Sequence, residues 1–371
     1  MKVPFFDYTQ IYKMEYPIYS GALEDVLKRS DFILRGDLDS FENYLSKFIG
    51  VKHSIGVGNG TDAIWLGLIA VDVKPGDEVI IPSHSYVATA DAVIAVGATP
   101  VLVDIDKSDH LISAASVKSA ISEKTSAIIP VNLNGRACAL DTISRIAAEH
   151  NLRIVEDNAQ GLGATLNGVH TGTFGDCGTL SFFPAKILGG LGDGGAVTTN
   201  DSRIDAKLRL LRNHGRSPQN EVVSWGYNSR LDNLQAAVLN AKLMVLEENI
   251  NRRRTIAMRY WDGLRDISEI VLPPDPRSAT ENNHFDSFQN YELLADGRSE
   301  LRTYLDSVEV GTTLPWGGKA IHEFALPGMK VLDLTNTEEI FKQVMLLPMN
   351  QFMEIEHADW VIESIRRFYG K

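Results

Sequence analysis

Between Gly56 and Asn200 the chain alternates short, β-branched apolar runs with longer stretches of helical spacing, and no other feature restricts its fold as much. The runs at 78–81, 100–103, 126–131 and 153–155 are apolar on both faces, as strands buried inside a parallel sheet must be. The stretches 61–73, 87–96, 114–121 and 140–150 between them carry apolar residues at helical spacing. Pro75-Gly76-Asp77 and Gly97-Ala98-Thr99 punctuate the helix-to-strand turns. This rhythm predicts an α/β fold, a mostly parallel sheet flanked by helices. Beyond Asn200 the segments 201–213 and 233–264 read as long helices, and the proline cluster at 271–276 marks a boundary. The remainder of the chain reads as a smaller α+β unit closing with a helix at 355–368. At about 150 residues per domain, a 371-residue chain accommodates two. The expected division is 1–250, a large ligand-binding domain with its N-terminal segment, and 251–371, a small C-terminal domain.

Charge and cysteine usage narrow the function. The 36 Lys and Arg against 48 Asp and Glu give a net charge of −12. A nucleic-acid partner, which needs a basic surplus to displace counterions, is therefore not expected. A single phosphate remains compatible, because a few backbone N–H groups can hold one. Cys138 and Cys177 are too few for a disulfide framework or a four-ligand zinc site, so they read as reduced thiols and no metal site is assigned. The start lacks a signal-like apolar stretch, and the longest nearly apolar run, 92–103, is too short to span a bilayer. The expected compartment is the cytoplasm.

Three segments can carry chemistry. Gly56-Val57-Gly58-Asn59-Gly60-Thr61 runs from a strand into a helix, where glycines either just turn the chain or open an anion pocket against the helix N-terminus. Asp157 stands just past the end of a buried strand, where it caps a turn or meets a ligand bound outside the sheet. Lys186 leaves an apolar run, Thr179 to Ala185, and enters a loop with five glycines among residues 189–195. An ordinary lysine there is solvated, whereas a desolvated one becomes a nucleophile toward carbonyl groups. Residues 190–195 match a GxGxxG pattern, but the segment after Gly195 reads as a strand, not the helix a dinucleotide site requires.

In their order, Gly60-Thr61-Asp62-Ala63, Glu156-Asp157-Asn158-Ala159-Gln160, Ser181-Phe182-Phe183-Pro184-Ala185-Lys186, Gly192-Asp193-Gly194-Gly195 and Gly226-Tyr227-Asn228-Ser229-Arg230 resemble the sugar aminotransferases of the DegT/DnrJ/StrS family. The resemblance covers almost the whole chain. It implies a fold-type I enzyme using pyridoxal 5'-phosphate (PLP). By it, Lys186 joins the cofactor aldehyde as a Schiff base and later moves the proton, and Asp157 pairs with the ring nitrogen. Gln160 would meet the phenolic oxygen and Tyr86 would stack on the ring. Gly60, Thr61, the Asp62 N–H and the Ser181 hydroxyl would hold the phosphate. Asn228 would reach the phosphate of a neighbouring subunit, which makes the expected assembly a homodimer with shared sites.

The resemblance further implies transfer from L-glutamate to a keto-sugar, usually nucleotide-linked. Family members acting at the sugar 4-position often carry His where this chain has Phe183, so a 3-keto sugar is expected, with a 4-keto sugar, another keto substrate or a non-catalytic PLP-binding relative as alternatives. Family dehydratases replace the lysine with His, and here it is retained. Arg216, Arg230 and Lys319 are candidates for the acceptor's diphosphate, whereas Arg252-Arg253-Arg254 reads as a solvated helix face. By the resemblance, the Arg35 loop and the segment 313–319 lie where relatives approach substrate, with Arg35 either contacting an anion or simply exposed, and His322 lies just beyond that segment.

Overall fold

The computed structural model describes residues 1–277 and 283–371. Its centre is an eight-stranded sheet in the order His53–Val57, Gly195–Thr199, Cys177–Ser181, Arg153–Asp157, Thr125–Ile128, Glu78–Pro82, Thr99–Val103, Lys330–Val331. From Cys177–Ser181 to Lys330–Val331 every pairing is parallel, and Gly195–Thr199 runs antiparallel between its two neighbours. The predicted mostly parallel sheet is therefore present. The segment after Gly195 is a strand, as its composition requires, so the GxGxxG pattern opens no helix.

Helices Gly60–Ala70, Ala88–Ala95, Ala114–Ala120 and Leu140–Glu149 follow the strands in the expected rhythm. The sheet is apolar on both faces because two separate cores flank it. Alternate residues of one strand, Val79 and Ile81 against Ile80, point into different cores. Helix Ile355–Phe368 closes the chain within a further core, together with strands Tyr291–Ala295 and Val344–Leu347.

Two long segments depart from the expectation. The stretch 233–264 is two helices, Asn233–Leu243 and Leu246–Leu264, broken at Met244-Val245. Leu246 and Ile250 of the second helix pack in one core, while Ile256, Tyr260 and Leu264 pack in another, so one helix serves both. The arginine triplet on that helix is not a solvated face. Arg253 is 1% exposed, and its guanidinium donates to the carbonyls of Phe288 and Gln289 and to Gln351 Oε1. Arg254, half-buried, donates to the carbonyls of Asp286 and Pro276, and only Arg252 faces outward. A run of like charges hides such a role because the carbonyls that receive it lie far along the chain.

The second departure is a 22-residue helix, Tyr8–Arg29, which local patterning barely marks; it is capped by the Asp7 carboxylate accepting from the Gln10 N–H. Its stripe of Ile11, Glu15, Tyr19 and Val26 is buried. Glu15 pairs there with Lys242 at 2.7 Å, and both are buried. Among the described residues no helix is long and apolar enough to cross a membrane. Both cysteines are free and buried.

Candidate active site

Strands His53–Val57, Arg153–Asp157 and Cys177–Ser181 all end toward one cleft, the position at which open α/β sheets bind ligands. The cleft encloses about 820 Å³ and brings together Gly60, Thr61, Asp62, Tyr86, Asp157, Gln160, Ser181 and Lys186. Residues predicted from segments more than a hundred positions apart thus share one wall. Among the described residues that line it, Lys186 is the only cation.

Burial pushes the Lys186 amine down to about 8, against the opposing pull of the Asp157 charge. A substantial fraction is therefore the neutral, nucleophilic form near neutral pH. Its backbone is clamped on both sides by Gln289, a residue that no sequence motif marks. Gln289 Oε1 accepts from the Ile187 N–H at 2.8 Å, and its Nε2 donates to the Ala185 carbonyl at 3.0 Å. Arg253 in turn holds the Gln289 carbonyl at 3.1 Å. A glutamine in a loop carries no signal of this in the sequence.

Asp157 is buried. Its Oδ2 accepts from the Thr89 hydroxyl at 2.7 Å and its Oδ1 from the Ala159 N–H at 3.2 Å. Burial raises its pKa, while Thr89, Ala159 and Lys186 oppose that rise. A protonated ring nitrogen brought against it would lower it again. Its neighbour Glu156 turns away from the cleft and accepts from the N–H groups of Gly172, Phe174 and Gly175, a purely structural anchor. Gln160 Oε1 accepts from the Asn134 N–H at 2.8 Å, which leaves its Nε2 donor for the cleft.

The helix N-terminus expected to hold a phosphate differs in one detail from expectation. The Asp62 N–H donates to Asn59 Oδ1 at 2.8 Å, so Asn59 is the helix cap and that N–H is already taken. The N–H groups of Gly60 and Thr61 have no partner among the described residues and sit at the positive end of the helix. Gly60 is required by crowding: a Cβ there would stand 2.8 Å from Ser181 Cβ. The donors match an anionic phosphate, Asp157 a ring nitrogen and Lys186 an aldehyde, so the residues present fit PLP.

Tyr86 lies at the cleft edge with its ring 5.5 Å from that of Trp316, and Phe183 also lines the cleft. The segment 313–319 contributes Thr313, Leu314, Pro315 and Trp316. Arg216, Arg230, Lys319, His322 and Arg35 are not among the lining residues. His322 bonds Ser83 Oγ at 2.7 Å, and Arg230 donates to Asn213 Oδ1. Asn228 is exposed and outside the cleft of its own chain, on a loop where Val222, Val223 and Trp225 are exposed as well.

An α/β sheet whose strand ends gather a lysine with a lowered pKa, a buried aspartate and a helix-borne anion cradle defines a PLP-dependent transferase. The chain belongs to the DegT/DnrJ/EryC1/StrS aminotransferase family, whose family model matches residues 19–366. It is 37% identical, over all of its length and 99% of the relative's, to a pleiotropic regulatory protein of Geobacillus stearothermophilus. It is 36% identical, over 99% of each chain, to the dTDP-3-amino-3,6-dideoxy-alpha-D-galactopyranose transaminase of Aneurinibacillus thermoaerophilus. The crystal structure of S. venezuelae DesV in complex with a ketimine intermediate superposes with a TM-score of 0.94 at 34% identity, covering 100% of this chain and 99% of that one. The protein is a PLP-dependent aminotransferase.

Proposed function

We propose that this aminotransferase moves an amino group from L-glutamate to a nucleotide-linked 3-keto sugar, working as a homodimer in the cytoplasm. One observation carries the reading: the cleft couples a nucleophilic lysine and a buried aspartate to a cradle of unpaired donors, yet has no second cation among its described lining residues. When bound, PLP supplies an aldehyde that captures amines and a ring that takes up electrons. Lys186 Nζ then holds and returns the proton at the reacting carbon, and Asp157 keeps the ring nitrogen protonated. Thr61, Gly60 and Ser181 bind the phosphate, Gln160 orients the phenolic oxygen, and Tyr86 covers the ring face.

Glutamate and a sugar nucleotide both bring negative charge, which Lys186 alone does not balance. In this reading the missing donors, Asn228 among them, come from the partner subunit. The exposed apolar side chains beside Asn228 support an interface there. Phe183 and the Aneurinibacillus relative, named for a 3-amino sugar, support the 3-position. The division expected from the sequence gives a cofactor-binding part, 1–250, and a part, 251–371, that closes the cleft through Thr313 to Trp316.

The test is the visible spectrum of the PLP-loaded protein. L-glutamate should bleach the long-wavelength band, and a 3-keto sugar nucleotide should restore it. A band that glutamate leaves unchanged would favour the second reading, a PLP-binding regulator, which the Geobacillus relative's name raises. Restoration only by 4-keto sugars would overturn the positional assignment.

A further inference from the structure

Strand Tyr291–Ala295 carries a carboxylate that the transfer does not use. Glu292 is buried, and its two oxygens accept from two different loops, Oε1 from His110 Nδ1 at 2.7 Å and Oε2 from Asn134 Nδ2 at 3.0 Å. Two further links lead from Asn134 to the cleft. Asn134 Oδ1 accepts from Asn290 Nδ2 at 2.9 Å, and that same Nδ2 lies 3.3 Å from Gln160 Oε1. Gln160 Oε1 also accepts from the Asn134 backbone N–H at 2.8 Å.

Both ends of this chain run one way. An ionised carboxylate only accepts and a backbone N–H only donates, so every amide between them has one orientation. Gln160 is left with Nε2 toward the cleft, a donor with no partner among the described residues. Asn134 adopts φ 56, the left-handed region that Asn tolerates better than most residues with a side chain, and in that conformation its side chain reaches Glu292.

We infer that Glu292 is a positioning residue: by fixing Asn134 and Asn290 it keeps the Gln160 donor aimed at the cofactor's phenolic oxygen. The inference rests on the placement of PLP in this cleft. The titratable groups facing Glu292 are His84, 3.6 Å away, and His110, with Lys107, Asp109, Arg136 and Asp286 beyond them around an adjoining small cavity. Burial pushes Glu292 up, but His84, His110 and Asn134 together outweigh it and hold it below the usual carboxylate range. It is therefore the acceptor-only form that anchors the chain at neutral pH.

Glu292→Gln keeps the shape but supplies an amide that can turn either way. The Gln160 donor stabilises the ionised phenolic oxygen, so losing its direction makes the proton shared there harder to remove. In the PLP-loaded variant the pH midpoint of the visible band is expected about one unit above wild type, the size of one hydrogen bond to a charged oxygen. Gln160→Ala should give the same rise. The double variant should rise no further than Gln160→Ala alone, because the two residues act in series. Should Glu292→Gln fail to fold, Asn290→Ala cuts the second link and should move the midpoint the same way. An unmoved midpoint in a variant that still shows the band, or shifts that add in the double variant, overturns the inference alone. Absence of any band in the wild type would instead overturn the cofactor placement.

Discussion

In the proposed reaction Lys186 is the residue on which the chemistry depends, and its environment makes two outcomes checkable. With its amine lowered to about 8 by burial, the neutral fraction in the cofactor-free protein grows with pH through 8, where it is half, and levels about a unit above it. The rate at which the visible band forms on mixing with PLP should follow that curve in stopped-flow traces from about pH 6 to 9. Lys186→Ala should show no such band and lose at least ~10³-fold in turnover, within the range of lost acid–base catalysis. Gln289→Leu should keep the band, since the amine remains. Its loop loses both clamps, however, and kcat should fall by about 10²-fold through misplacement of the amine.

At the scale of elements, helix Leu246–Leu264 and the short hairpin of Thr165–Leu166 with Val169–His170 make opposite demands on buried polar groups. Arg253 satisfies the adjacent carbonyls of Phe288 and Gln289 and links through Gln351 to Glu15 of the N-terminal helix. Arg253→Ala leaves those acceptors buried and unpaired, and the urea midpoint should report a loss of about 3 kcal/mol. His170 shows the reverse, a buried group that must stay uncharged. Its Nε2 accepts from the Gly163 N–H at 2.8 Å, and burial lowers its pKa from 6.5 to about 4. The unfolded chain takes up a proton near pH 6.5 and the folded one only near 4. Stability is therefore intact above 6.5 and declines as pH falls between those values, by up to about 3 kcal/mol. Unfolding curves at about pH 7 and about pH 4.5 should differ accordingly, and His170→Gln should flatten the difference.

For the whole molecule, the shared-site assembly is what most needs testing. Trp225, 95% exposed, lies three positions before Asn228. Trp225→Asp should shift sedimentation toward monomer and weaken PLP retention together. A stronger test mixes Lys186→Ala with Asn228→Ala protein under conditions that exchange subunits. Each mixed dimer contains one site with both residues intact, so recovery of about a quarter of wild-type activity is expected for random exchange between sites related by two-fold symmetry. Mixing that restores nothing beyond the sum of the parents would place Asn228 outside its partner's site.

The alternation of β-branched runs and helical stretches determined the parallel sheet by itself, because strands buried on both faces tolerate no other composition. The same pattern placed Asp157 and Ser181 at strand ends and Lys186 just beyond one, since local hydrophobic patterning fixes where each strand stops. Only the tertiary structure decided the role of Gln289, Asn134 and Glu292, whose partners lie up to 182 positions away. It also turned Arg253 inward and gave the Asp62 N–H to Asn59. Local pattern reports whether a residue is buried within its own element. Which donor meets which acceptor depends on loops brought together by the sheet, and hydrogen bonds between such distant groups leave no periodic trace in the chain.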